Sequence, residues 1–366
     1  MLIFFVIVIL VALALQWYSL RNAGDYRNIR YECKPSVRAC EPGDVFMIHS
    51  NISNTDHRAS TELYIEEHFP QQLKVMEAER YNVVELHNDY RIYRSSAVIG
   101  ARKQIRRCLR ASIDQRGEYC FSDADFYTGD FLGLNLIYCR KENDARIVIY
   151  PKRIENDAFL KSFSNAMEEI ARKKQLLEDT ISVCGYDPYT GREPMRQISW
   201  TQSAVRRELI VKRFDPVWKQ SVRIVLDVQF HGEPEYNQPR RELCFSIART
   251  VCEELERQQI GYRLITNAAL SNGVTCLQSE GGMGGSYRKI LYALGSAKGD
   301  AVCSLHETMS IACADTARQE LIVLIAARQD EKVAREVAKA KAYAGAQIVT
   351  LFADALLPTS KEVTNA

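Results

Sequence analysis

Val222-Arg223-Ile224-Val225-Leu226-Asp227 is an apolar run of strand length that ends on an acid, and the pattern that follows it decides the reading of the second half of the chain. Leu243, Ile247, Val251 and Leu255 recur every fourth residue and place one apolar stripe on a helix. Residues 262–266 return to a strand pattern, 286–297 read as a helix, 321–326 as a strand, 331–343 as a helix and 346–352 as a last strand. Alternation of this kind needs right-handed crossovers. It predicts a mainly parallel sheet covered on both faces.

Working back from this point, residues 31–151 carry short β-branched runs between turn signals. Cys40-Glu41-Pro42-Gly43-Asp44 precedes Val45-Phe46-Met47-Ile48, and Arg146-Ile147-Val148-Ile149-Tyr150 comes last before Pro151. Many short strands with few helical stretches predict an all-β, sandwich-like module. Phe159, Phe163, Met167, Ile170 and Leu177 then fall at helical spacing, so a connecting helix is expected over about 156–178.

At the other end, residues 2–18 carry no charge and finish on Trp17-Tyr18. Seventeen residues rise about 26 Å as a helix, at the short end of the transmembrane range. A signal peptide is the rival reading, but no Lys or Arg precedes the apolar run and Gln16-Trp17-Tyr18 is a poor cleavage site. Arg21, Arg27, Arg30, Lys34 and Arg38 follow it against only Asp25 and Glu32. The positive flank predicts a single-pass cell-membrane protein with its N-terminus outside and its folded region in the cytoplasm. The eleven cysteines agree, being odd in number and without a Cys-x-x-Cys pair; Cys244 and Cys303, in apolar runs, are expected to be buried thiols in a reducing compartment. Lys plus Arg exceeds Asp plus Glu by only two, so no nucleic-acid partner is expected. The densest basic cluster, Arg102, Lys103, Arg106, Arg107 and Arg110, reads either as a solvated face or as a contact to a lipid bilayer.

Residues 185–215 combine the turn Asp187-Pro188-Tyr189-Thr190-Gly191 with Arg196-Gln197-Ile198-Ser199-Trp200, then Ser203-Ala204 and Glu208-Leu209-Ile210-Val211. An exposed turn beside Arg and Trp has the composition of a partner-binding or domain-docking surface, whereas Trp200 could equally anchor a linker by packing. This stretch resembles the signature of the bacterial family called domain of unknown function 58, in Tyr189, Gly191, Arg196, Ile198, Trp200, Ser203, Ala204, Glu208, Leu209 and Val211. It departs from that pattern at Arg192, Thr201 and Val205. Arg116-Gly117-Glu118-Tyr119 and Gly129-Asp130-Phe131-Leu132-Gly133-Leu134 resemble further elements of the family, so the likeness covers most of the chain.

The resemblance implies that the α/β domain over 221–357 is von Willebrand A-like; it is preceded by the all-β module read over 31–151 and the one N-terminal transmembrane helix read over 1–18. Residues 19–30 would be a juxtamembrane linker, 152–220 the connecting helix and signature segment, and 358–366 a tail. It also implies a MoxR-type AAA ATPase as partner, often accompanied by a transglutaminase-like membrane protein. The expected function is therefore a membrane-anchored, non-enzymatic scaffold or adaptor. Tyr189, Gly191, Arg196, Trp200 and Ser203 are its candidate docking residues, with Ile198 and Trp200 expected side by side on the buried face of an extended segment.

Such domains often hold a divalent cation through Asp-x-Ser-x-Ser, and the corresponding residues here are Asp227, Gln229 and His231. Only the acid remains of three expected oxygen ligands, so no cofactor is expected. Gly281-Gly282-Met283-Gly284-Gly285-Ser286 matches neither a Walker loop nor a dinucleotide fingerprint; it reads as a crossover with Ser286 as helix cap. The alternative function is a hydrolase that uses Cys303 with His306, or a metal at Asp227.

Overall fold

The computed structural model describes residues 2–22, 28–60, 63–76, 82–86, 90–129, 136–161, 163–165, 167, 183–191, 193, 195–214, 221–230, 234–270, 276–314, 321–344 and 347–356. The chain divides into two compact units, Met1–Lys152 and Arg153–Ala366.

The first unit begins with helix α1 (Leu2–Asn22) and continues through β1 (Ile29–Pro35), β2 (Ala39–Cys40), β3 (Phe46–Asn54), β4 (Leu63–Pro70) and β5 (Lys74–Val75). It ends with β6 (Asn82–Leu86), β7 (Tyr90–Ala97), β8 (Gln104–Ser112), β9 (Gly117–Gly129) and β10 (Leu136–Ile149). A four-stranded sheet in the order β1-β3-β8-β5 and a six-stranded sheet in the order β2-β10-β9-β4-β7-β6 form a sandwich. Side chains alternate in and out along β3, where Phe46, Ile48, Ser50 and Ile52 are buried and Met47 and His49 are exposed. Cys33, Ile48 and Leu109 from one sheet pack with Phe69, Tyr93, Phe121 and Ile147 from the other. A second cluster joins Ile29, Ile52, Leu63, Ile65 and Phe126, and Tyr31 borders both clusters.

The second unit contains β11 (Val183–Pro188), α2 (Trp200–Arg206), β12 (Ile210–Phe214), β13 (Ser221–Leu226), α3 (Pro234–Arg257), β14 (Gly261–Thr266) and β15 (Ala268–Ala269). After these come β16 (Cys276–Ser279), α4 (Gly285–Ser296), β17 (Lys298–Ala301), α5 (Leu305–Ala314), β18 (Leu321–Ala326), α6 (Glu331–Ala344) and β19 (Gln347–Phe352). Its main sheet has the order β16-β14-β13-β18-β19. β14, β13, β18 and β19 run parallel, and β16 is an antiparallel edge. β18 is buried throughout, as a strand covered on both faces must be. Ile247, Val251 and Leu255 of α3 are buried, and α5 and α6 bury Leu305, Met309 and Val333 with Ile322 and Leu324.

The expected composite of a von Willebrand A-like α/β domain, an all-β module and a transmembrane helix is corrected. The described residues form nineteen strands against six α-helices, a predominantly β structure. Strand–helix alternation reports the local period and the direction of strand pairing. It does not by itself specify a family.

Among the described residues no helix is long and apolar enough to cross a membrane. The expected connecting helix is helical at 157–161 and 163–165, with Phe163 buried, and residues 168–182 lie outside the described residues.

Candidate docking site

β11 and β12 pair antiparallel, from Pro188 opposite Ile210 to Val183 opposite Phe214. The chain between them is folded back tightly. The Tyr189 N–H donates to the Leu209 carbonyl at 2.7 Å, and the turn is closed by Glu193, which accepts from the Thr190 N–H at 3.0 Å and its hydroxyl at 2.6 Å. Gly191 has φ +87° with open space around it, a left-handed turn position that suits glycine. A 3-10 turn at Met195–Gln197 follows, and Ile198 then bridges to Val211.

Helix α2 starts at Trp200, with Ser199 in the cap position, and ends at Arg207, whose φ of 56° is left-handed. The Ser203 hydroxyl is buried and accepts from the Ile210 N–H at 2.9 Å, fastening α2 to β12. Ile198 and Trp200 therefore do not share the buried face of a strand. Ile198 is buried under the bridge, while Trp200, on the first turn of α2, is 63% exposed. Met195, Val205 and Leu209 are exposed with it, Val205 at 75%. Of the five candidate residues, Ser203 holds the element together and Tyr189 and Gly191 shape its turn, so Trp200 is left facing solvent. The Arg196 side chain lies outside the described residues.

Asp227 is buried just past the end of β13. Its Oδ1 accepts from the Gln229 N–H at 3.0 Å and from Asn267 Nδ2 at 2.6 Å, and Asn267 Oδ1 accepts from the Val228 N–H at 2.8 Å. The carboxylate thus ties together the loops that leave β13 and β14. Gln229 is exposed and His231 lies outside the described residues. No group of three or more His, Cys, Asp or Glu side chains that could hold a metal occurs among the described residues.

Cys303 is not in a strand. It lies half-buried in the bend between β17 and α5, with Sγ 3.5 Å from Thr308 Oγ1, and Val302 beside it is exposed. His306 is oriented by Glu336 of α6, with Nδ1 2.8 Å from Oε2. Burial raises the Glu336 pKa, but the hydrogen bonds from His306 and Lys339 outweigh it and hold the carboxyl below its usual range.

The glycine-rich loop also differs from expectation. α4 begins at Gly285 with Gly284 as cap, not Ser286. The loop closes on the chain's own buried carboxylate, Glu256. Its Oε2 accepts from the Met283 N–H at 2.6 Å, and its Oε1 accepts from the Tyr262 hydroxyl at 3.0 Å and from the Ser279 hydroxyl. An internal anion thus takes the backbone N–H that an external one would use.

The sequence reading also passed over a polar row across the outer face of the six-stranded sheet. Arg94, Glu66, Asp125 and Arg140 are register neighbours on β7, β4, β9 and β10. Glu66 and Asp125 are buried side by side, an arrangement that is destabilising unless compensated. Arg94 Nε donates to Glu66 at 2.7 Å and the Tyr138 hydroxyl to Asp125 at 2.9 Å. His68, also buried, stacks on Tyr90 with its Nε2 3.3 Å from Asp125 Oδ2. The signal was available: Glu66-Glu67-His68 inside an otherwise apolar strand puts polar groups on both faces.

No family model matches the chain, and no curated protein matches it. The solved structures similar to it include the CARDB domain of a Pyrococcus furiosus protein, at 7% identity over 32% of this chain and 86% of that one, TM-score 0.20. A non-cellulosomal cohesin from Archaeoglobus fulgidus is similar at 12% identity over 33% and 91%, TM-score 0.23. A third is the fimbrial major subunit AggA from Escherichia coli, at 9% identity over 35% and 97%, TM-score 0.21.

Proposed function

We propose that the chain is a non-enzymatic adaptor that docks a protein partner through the exposed apolar side chains of residues 195–209, Met195, Trp200, Val205 and Leu209. The observation that supports this reading is Trp200: the surrounding fold buries Ile198 and Ser203 and leaves the indole outside. Tryptophan is among the residue types enriched at binding hot spots, and Met195, Val205 and Leu209, close to it in the chain, are exposed as well. The partner class proposed is the one the family resemblance implies, a MoxR-type AAA ATPase, which would bring the nucleotide chemistry for which this sequence has no motif. No observation favours the hydrolase alternative, since the described partner of His306 is Glu336 rather than Cys303.

The test is direct binding of the full chain to a purified MoxR-type ATPase from the same genome. Trp200→Ala is expected to weaken binding by a factor of about 30 or more, the effect of losing a hot spot of at least ~2 kcal/mol, with the thermal melt unchanged. Binding that survives Trp200→Ala at full strength would overturn the reading.

A further inference from the structure

The outer face of the four-stranded sheet is cationic. Alternation along β1 turns Arg30, Glu32 and Lys34 outward, while Ile29 and Cys33 are buried. On β8 the outward residues include Arg106, Cys108 and Arg110, with Leu109 and Ala111 buried. Between them, β3 contributes Met47, His49 and Asn51. Register places Arg106 beside Asn51 and Arg110 beside Met47, and on the other side of β3 it places Lys34 beside His49. Among the described residues of β1, β3 and β8, four cations and one carboxylate, Glu32, share this face, and Glu32 pairs with Lys34. Arg30, Arg106 and Arg110 form no ion pair with any described carboxylate. The chain as a whole is close to neutral, so this concentration is local.

The same unit carries α1, in which none of the described side chains from Phe4 to Tyr18 is buried. They include Phe4, Phe5, Ile7, Ile9 and Leu13, with Trp17 and Tyr18 at the end nearer the sandwich. A helix apolar on all sides needs a nonaqueous environment. Asn22 ends α1 and Ile29 opens β1, and the seven residue steps between them reach at most about 25 Å. That tether lets an apolar segment and the cationic sheet face engage one planar surface together.

We propose that this sheet face binds the anionic headgroup surface of a phospholipid bilayer, with α1 burying its apolar side chains in the same membrane without crossing it. The combination selects the occupant. An acidic polypeptide or a nucleic acid would satisfy the arginines and leave the helix in water, whereas an anionic bilayer satisfies both. One apolar anchor with a basic patch is also the pairing that converts weak, reversible membrane contact into stable binding. Each cation near such a surface strengthens partitioning about fivefold, and the attraction is screened by salt.

The experiment measures partitioning of the full chain onto phosphatidylcholine vesicles and onto vesicles of equal parts phosphatidylcholine and phosphatidylglycerol. Arg106→Gln with Arg110→Gln is expected to lower binding to the anionic vesicles about 25-fold, leaving binding to neutral vesicles unchanged. Arg106→Lys with Arg110→Lys should keep the wild-type preference, because a headgroup surface reads charge rather than guanidinium geometry. If the glutamine pair does not fold, Arg30→Gln with Lys34→Gln removes two charges from β1 and must lower anionic binding in the same way. Equal wild-type binding to both vesicle types overturns the proposal. So does a glutamine variant that binds anionic vesicles as well as wild type does, or preferential capture of an acidic polypeptide or an oligonucleotide in competition with vesicles.

Discussion

Single buried polar residues set the sharpest constraints on this chain. Glu256 receives three donors from three places in the sequence, Tyr262, Ser279 and Met283. Glu256→Ala leaves them unpaired and is expected to cost about 3 kcal/mol, since each orphaned buried donor costs about 1–3 kcal/mol. A urea denaturation midpoint close to wild type would show that the loop does not depend on this carboxylate. His68 makes a second prediction. Burial, its largest influence, pulls the imidazole pKa below the ordinary 6.5, with Asp125 opposing. A base with a lowered folded pKa binds fewer protons than its unfolded counterpart, so stability is full above about pH 6.5 and falls as pH drops toward the folded value. His68→Gln should flatten stability between about pH 7 and pH 5 relative to wild type. Parallel pH curves for the two proteins would assign the acid sensitivity elsewhere.

At the scale of elements, most of what was legible came from period. Ile247, Val251 and Leu255 follow from i, i+4 spacing, β18 from an unbroken apolar run and β13 from one interrupted only by Arg223, because burial imposes a pattern on any segment that packs. What was not legible is local. Residues 198–200 read as a strand because Ile198 and Trp200 alternate, yet the chain turns into α2 between them. The missed signal is Ser199 with Gln202 three residues on, the pattern of a helix start. The run Glu66-Glu67-His68 marks a polar environment, but the partners of His68 and most of those of Glu256 could not be named, since Tyr90, Asp125, Ser279 and Met283 come from distant strands or loops. The corrected geometry reverses the energetic ranking in this element. Ile198→Ala should destabilise by about 2–5 kcal/mol as a buried truncation, and Trp200→Ala by under about 1 kcal/mol as a largely exposed one. Thermal melts of the two variants decide it, and a larger loss for Trp200→Ala would restore the packing role.

At the scale of the whole molecule, each compact unit has its own core, and each core contains its own buried thiols. Cys33 lies among the sandwich residues, and burial pushes its pKa up to about 12. Cys244 and Cys252 are buried on α3 and are likewise raised by burial. A thiol in either place reacts with a maleimide only when its unit opens, because the thiolate is the nucleophile and both access and ionisation are denied. Site-resolved labelling therefore reads the two cores separately in one intact chain. Phe126, buried against Tyr31 with ring centroids 5.6 Å apart, belongs to the sandwich alone. Phe126→Ala is expected to destabilise that unit by about 3–5 kcal/mol. Labelling of Cys33 should accelerate by two orders of magnitude or more, on the relation of about 1.4 kcal/mol to each factor of ten, while Cys252 keeps its wild-type rate. If Cys252 accelerates in step with Cys33, the two units open as one cooperative body, and the division into separate cores does not describe how the chain unfolds.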